Sequence, residues 1–254
     1  MSMEVIFLGV GSSGGSPVIG CECPVCRSGA PRNQRTRCSA HIVVDGVHLQ
    51  IDTGPDFRVQ CLREGIRQID AVLYSHPHAD HLNGIDDLRV FCYRQQGVLP
   101  LYGDDYTMDD IRRRFAYALQ SPNGQWEKPT LSVNPVAEPF SVKGVQVMPI
   151  RVMHGQYPIL GFRIGDFAWL TDLSDLPPES LPLLQNLKGV AIDALRETPH
   201  PTHSSIDQAL AWAEVIGAEE TWLIHMTHEV DYEATSARLP AGVHMAWDGL
   251  RRHY

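Results

Sequence analysis

Ser75-His76-Pro77-His78-Ala79-Asp80-His81 follows directly on the apolar run Ala71-Val72-Leu73-Tyr74. Within six residues it packs four groups able to bind a metal, in the form H-x-H-x-D-H. Neutral imidazoles suit zinc, manganese or iron, and the carboxylate adds charge and hardness. In an extended or turning backbone His76, His78 and Asp80 project to one side, because side chains alternate with period two. His81 points elsewhere unless the chain turns, and Gly84 suits such a turn. Two ligand directions suggest two metals, with His76 and His78 on one and Asp80 and His81 on the other. The blander reading is a polar loop with its histidines in solvent. Three histidines and an aspartate at a strand end form too specific a pattern to favour it.

Outward from this stretch, the 254-residue chain can bury a large core, as one big domain or two small ones. Its 43% hydrophobic and 20% charged content is ordinary for a soluble globular protein. No apolar run approaches the length of a membrane span, and the start has no signal-peptide pattern. The expectation is a cytoplasmic protein without a membrane partner. A formal charge of −9 disfavours a long nucleic-acid partner, which needs a basic track, but leaves room for a small phosphorylated substrate. Homodimerisation is left open.

Val5-Ile6-Phe7-Leu8-Gly9 reads as a buried opening strand. The glycine-rich turn Gly11 to Ser16 follows, without the lysine or spacing of a phosphate-cradling loop, and so suits close backbone approach near an active site. Cys21, Cys23 and Cys26 then form a C-x-C-x-x-C loop. Three thiolates this close make a soft-metal site, and tetrahedral zinc would want a fourth ligand from elsewhere. The alternative, a disulfide plus one free thiol, is disfavoured in a reducing compartment. Cys38, Cys61 and Cys92 read as buried small hydrophobes. Ala40 to Val44 and Val47 to Ile51 make a hairpin turning at Asp45-Gly46, with His41 and His48 as surface strand residues. Helices are expected over Phe57 to Gly65, from about Gly84, over Asp105 to Leu119, near Glu179 to Leu184 and over Ile206 to Ile216. Ser121-Pro122-Asn123-Gly124 should break the third, whose Arg112, Arg113 and Arg114 read as a solvated face. Further strands are expected at Leu99 to Gly103, Leu131 to Val133, Val145 to Val152, Ile159 to Ile164, Phe167 to Leu170, Val190 to Asp193 and Thr221 to Ile224. The tail reads as a short helix, a last strand near Val243 to Trp247 and a polar end.

The metal motif, followed by Leu82-Asn83-Gly84, resembles that of the metallo-β-lactamase-fold hydrolase superfamily. The resemblance implies an α+β, four-layer αββα sandwich: two mixed sheets flanked by helices. It asks for three more ligands in order, and His154, Asp172 and His225 each stand at a strand end in that order. It implies His76, His78 and His154 on one divalent ion, Asp80, His81 and His225 on a second, and Asp172 bridging both. Manganese or zinc would suit. Asp52, in Asp52-Thr53-Gly54, resembles the residue that supports a ligating imidazole by hydrogen bonding. The thiolate loop together with His225-x-x-His228 narrows the resemblance to the cyclic phosphodiesterases of the carbon–phosphorus lyase pathway, which cleave phosphoribosyl 1,2-cyclic phosphate. There, three such cysteines and a histidine just after the last catalytic ligand hold a structural zinc, here Cys21, Cys23, Cys26 and His228.

This likeness runs from Val5 to about Trp247 and is weakest from Phe91 to Pro149. It implies one hydrolase domain over 1–254, with the zinc loop inserted near 20–38. The implied activity is phosphodiester hydrolysis of a small cyclic or nucleotide-like substrate by a metal-bridging hydroxide, with Asp80 among the catalytic groups. His203, in Thr202-His203-Ser204, would act on the phosphate or leaving group, with His200 as the alternative and Arg89 as a candidate substrate contact. Rival readings are a transfer-RNA-processing nuclease, a thioesterase, and a zinc storage or sensing protein.

Overall fold

The computed structural model describes residues 2–120 and 128–254, so the expected break at Ser121-Pro122-Asn123-Gly124 lies outside the described residues. The first half of the chain supplies β1 (Met3–Gly9), β2 (Ser39–Val44), β3 (Val47–Ile51), β4 (Ala71–Leu73), β5 (Leu99–Gly103) and β6 (Leu131–Pro135). The second half supplies β7 (Phe140–Val142), β8 (Val145–His154), β9 (Tyr157–Ile164), β10 (Phe167–Leu170), β11 (Gly189–Asp193), β12 (Glu220–Ile224) and β13 (Val243–Met245). A last strand, β14 (Leu250–His253), crosses back to the first sheet.

Two seven-stranded sheets result, ordered β14-β1-β2-β3-β4-β5-β6 and β13-β12-β11-β10-β9-β8-β7. Each is half antiparallel and half parallel. β1, β2 and β3 form a meander and β3 to β6 run parallel, while β7 to β10 form a meander and β10 to β13 run parallel. The parallel strands are short unbroken apolar runs, such as Val190-Ala191-Ile192, as expected where both faces are covered.

The main core lies between the sheets. Phe7 packs on Phe167, Trp169 and Trp222 at centroid distances of 6.2, 5.4 and 6.0 Å. Each fully buried side chain of this size stabilises the fold by about 1.5–3 kcal/mol. A second cluster, including Phe57, Val72, Leu88 and Ile111, seals the helices Phe57–Glu64, Arg89–Gln95 and Asp105–Arg114 onto the outer face of the first sheet. On the second sheet Ile206–Ile216 is closed at its N-terminus by a capping box of Ser205 and Gln208 and at its C-terminus by left-handed Gly217.

Several expectations need correcting. The helix from Asp105 ends at Arg114, and after Phe115 the chain tightens to a 3₁₀ turn over Ala116–Leu119. Phe140–Val142 is a strand, and so is the "polar end": Leu250–His253 pairs with β1, and its charged side chains find partners in Glu4, Glu64 and Glu220. His41 is not a surface residue; it is 1% exposed under the first sheet's outer layer.

Candidate active site

The meeting ends of the two sheets carry the candidate ligands. His76, His78, Asp80 and His81 follow β4; His154 ends β8; Asp172 follows β10; Asp193 ends β11; His225 follows β12. Two of these, Asp172 at φ +54° and His225 at +61°, leave their strands in the left-handed region, and so does Asp52 at +55° after β3. Non-glycine residues there cost conformational energy and persist where the surroundings over-determine them. The turn swings each side chain out of the pleat into the cleft. Gly54 and Gly84 let two backbones meet beneath it. A Cβ on Gly54 would lie 2.0 Å from the Asp80 carbonyl oxygen, and one on Gly84 would lie 2.1 Å from the Gly54 carbonyl oxygen.

His76, His78, His154 and Asp172 bring one ligand atom each into a common space, and so do Asp80, His81 and His225, and Asp172, His203 and His225. His81 Nε2 is 3.2 Å from Asp80 Oδ2 and 3.1 Å from Asp172 Oδ1, and His225 Nε2 is 3.4 Å from Asp172 Oδ1. Ligands about 2.1 Å from one ion would stand about 3.0–3.4 Å apart. The Nε2 atoms of His76, His81 and His225 are nevertheless buried without a hydrogen bond. Close approach of lone pairs without hydrogen bonding is the geometry of a cation site, so the donor set fits two divalent ions sharing Asp172.

The outer ring nitrogens are held so that Nε2 faces inward. His81 Nδ1 donates to Asp52 Oδ2 at 2.7 Å, and His154 Nδ1 donates to the carbonyls of Thr202 at 2.8 Å and Asp172 at 3.0 Å. His76 Nδ1 lies 3.0 Å from Ser75 Oγ, which donates to Asp52 Oδ2. Burial opposes ionisation of Asp172, but the imidazoles of His225, His81 and His76 hold it well below the usual carboxylate range. Burial likewise opposes a charge on His81, yet Asp172, Asp80 and Asp52 raise it well above an ordinary histidine. Burial, with like charge from His81, pushes His76 down.

Asp193 is a residue the sequence reading passed over. It is fully buried, with Oδ2 2.7 Å from His203 Nδ1 and Oδ1 3.8 Å from His225 Nδ1. Its signal was a carboxylate ending an otherwise apolar buried strand. His203 stacks on His225 at 4.9 Å and 13°, with Nε2 3.9 Å from Asp172 Oδ2. His200 stands behind it at 5.2 Å, its Nδ1 facing the Thr202 backbone N–H at 3.3 Å. Arg89 pairs with Asp86 at 3.3 Å on the surface. Arg112, Arg113 and Arg114 are exposed, as expected of a solvated face, and Arg114 also donates to the Pro77 carbonyl at 2.9 Å and to Asn83, gripping the motif loop from outside.

Cys21, Cys23, Cys26 and His228 converge as well: their sulfurs lie 3.2, 3.4 and 3.5 Å from His228 Nδ1. The backbone N–H of Cys26, aided by His228, holds the Cys23 thiol down at about 6. The fully buried Arg35 joins this loop to the segment after His225, donating to the carbonyls of Thr227 at 3.2 Å and Val230 at 2.8 Å. The glycine-rich loop does approach the site, since Ser12 N donates to the Met226 carbonyl at 3.0 Å.

Comparison with known proteins agrees with this geometry. The family described as "Beta-lactamase superfamily domain" matches residues 48–226. A crystal structure of "a New Diphosphatase from the PhnP Family" is 39% identical, covers 100% of this chain and 98% of its own, and superposes with a TM-score of 0.94. Zinc-bound PqqB from Methylobacterium extorquens shares the fold at 18% identity and a TM-score of 0.81, over 98% of this chain and 99% of its own. A Porphyromonas gingivalis protein named octanoyltransferase is 40% identical over 98% of this chain, but the chain spans only about half (51%) of that relative's length. The chain belongs to the beta-lactamase superfamily, has the metallo-β-lactamase fold and is similar over its length to the PhnP family.

Proposed function

We propose that this chain is a phosphodiesterase using two divalent ions, manganese or zinc, on a small cyclic phosphate or nucleotide-like substrate, with a third, structural zinc. The observation that carries this reading is the placement of a histidine held by its own carboxylate, His203 on Asp193, against the bridging position Asp172. Hydrolysis of a phosphate ester needs charge neutralisation on the phosphate and a proton for the departing sugar oxygen, and this arrangement offers both.

His76, His78 and His154 would hold one ion, Asp80, His81 and His225 the other, and Asp172 both. Such a pair of ions supplies a nucleophile at neutral pH and a clamp for phosphate oxygens. The chain's own part is positional. Asp52 and the Thr202 and Asp172 carbonyls fix the imidazoles, and the carboxylates of Asp80 and Asp172 balance the cations' charge. With Nδ1 committed to Asp193, His203 presents Nε2 to the phosphate or leaving oxygen. Acid assistance of that kind is worth roughly 10²–10⁴ in rate. His200, farther out, is assigned to the substrate's periphery. Cys21, Cys23, Cys26 and His228 would close a four-ligand, structural site. Among partners, a small phosphorylated substrate fits; among the described residues no helix is long and apolar enough to cross a membrane.

The test is a substrate panel on metal-reconstituted protein: cyclic phosphates, linear diesters, diphosphates, thioesters including an octanoyl thioester, lactones and a β-lactam. The reading expects turnover on phosphate esters and its abolition by Asp172→Ala with the fold retained. Turnover of thioesters with none on diesters would replace it with the thioesterase reading.

A further inference from the structure

Behind the metal cleft, on the outer face of the first sheet, runs a line of polar side chains that the proposed chemistry does not use. Gln50 on β3 is fully buried. Its neighbours Leu49 and Ile51 point into the core between the sheets, so strand alternation turns Gln50 the other way. Its Nε2 donates to the Asp52 carbonyl at 2.8 Å, to the Ile51 carbonyl at 3.2 Å and to Ser39 Oγ at 2.8 Å. Ser39 Oγ lies 3.0 Å from the same Asp52 carbonyl. Gln50 Oε1 accepts from His41 Nδ1 at 3.2 Å, and this leaves His41 Nε2 to accept from His48 Nδ1 at 3.0 Å. Burial pushes His41 down to about 4, consistent with a neutral ring passing hydrogen bonds in one direction.

The line ends on Asp52, whose every polar group is then committed. Its N–H donates to the Leu73 carbonyl at 3.0 Å, and its carboxylate takes Ser75 N at 2.8 Å, Ser75 Oγ at 2.7 Å and His81 Nδ1 at 2.7 Å. Asp52 sits at φ +55°, where an aspartate is held only by its surroundings. The Gln50 amide, together with the Ser39 hydroxyl whose one proton is shared between the Asp52 and Ile51 carbonyls at 3.0 Å each, is what fixes that peptide's orientation from outside the cleft. The carboxylate direction follows from the backbone, and the His81 ring follows from the carboxylate.

We propose that Gln50 is a positioning residue for His81: its amide, braced by His41, locks the left-handed Asp52 so that the Asp52 carboxylate aims His81 Nε2 at the ion shared with Asp80 and His225. The proposal rests on the dinuclear reading above.

The test compares wild type, Gln50→Met (same length, no hydrogen bonds) and Ser39→Ala (loss of the other donor) by zinc competition against a chelator, with elemental analysis. Imidazole-selected ¹⁵N NMR of the metal-free proteins follows the His81 Nδ1–H bonded to Asp52. Gln50→Met should weaken one active-site zinc by about 10–100-fold, the usual cost of losing an outer hydrogen-bonding partner, and leave the other near wild type. It should also shift or broaden the His81 proton before any metal is added. Ser39→Ala should do the same to a smaller degree, and it decides the matter alone if Gln50→Met fails to fold. Unchanged zinc affinities with an unchanged His81 signal would overturn the proposal, as would equal weakening of both sites. A wild type that binds only one active-site zinc would instead sink the dinuclear reading on which it stands.

Discussion

Asp193→Asn is the sharpest probe of the proposed acid. The carboxyl lies fully buried, 2.7 Å from His203 Nδ1. Burial pushes it well above the usual carboxylate range, and the His225 imidazole opposes that. The His203 ring it faces favours the charged form, which an amide of the same size cannot carry. A hydrogen bond to a charged group is worth about 1.5–3 kcal/mol and a neutral one about 0.5–1.5. The difference of about 1–2 kcal/mol corresponds to roughly 5–30-fold in rate, at about 1.4 kcal/mol per factor of ten. Turnover of a diester with an alkoxide leaving group should fall by that factor. With bis(p-nitrophenyl) phosphate, whose leaving group needs no proton, the loss should shrink towards none. His203→Ala should cost more, roughly 10²–10⁴, and adding Asp193→Asn to it should cost nothing further, because the carboxylate acts through the ring. Active-site metal should stay at wild-type content in all three variants. Equal losses on both leaving groups, or loss of metal with Asp193→Asn, would refute the reasoning and shift Asp193's role to His225, whose Nδ1 is 3.8 Å away.

Cys23→Ser should lose one zinc per chain and lower the melting temperature while the active-site metals remain; equal zinc content in elemental analysis of variant and wild type would contradict this. Arg35→Met leaves the Thr227 and Val230 carbonyls without their donor, at about 1–3 kcal/mol for each buried acceptor, and should also loosen zinc at the cysteine loop; a denaturation midpoint equal to wild type would count against it. His41, pushed by burial from 6.5 to about 4, stays neutral in the fold while the unfolded chain takes up a proton. Its contribution is therefore intact above pH 6.5 and is lost as pH falls towards 4, about 2 kcal/mol by pH 5. His41→Gln should remove that share of the acid sensitivity, and identical pH slopes of unfolding free energy in wild type and variant would exclude it.

The residues that were legible in the sequence share one physical trait: they end apolar runs. His76, His154, Asp172 and His225 each stop a stretch that must be buried, and a metal-binding side chain there has few other reasons to exist. Asp193 stops a run in the same way, but a single carboxylate lacks the repetition that marks a motif. Gln50 and His41 were harder, since on a hairpin strand a polar residue facing away from the core normally faces water. Here that face is buried at both residues, and the alternation reads the same in both cases. β14 was hidden by Arg251, Arg252 and His253, whose charges are tolerated because an edge strand leaves one side free for carboxylate partners. The break at Phe115 carries no glycine or proline to announce it, and Arg114's grip on Pro77 spans 37 positions of sequence, beyond the reach of any periodicity.

The pairing of the first and last strands has a practical consequence. Met3 and Tyr254 exchange backbone hydrogen bonds at 3.3 and 3.0 Å, so these two positions are neighbours in space. β1 runs from there to Gly9 and on to the loop that touches Met226, which places the metal cleft at the opposite end of the sheet. A tag, a resin or a second polypeptide tethered at either position would leave the mouth of the cleft unobstructed.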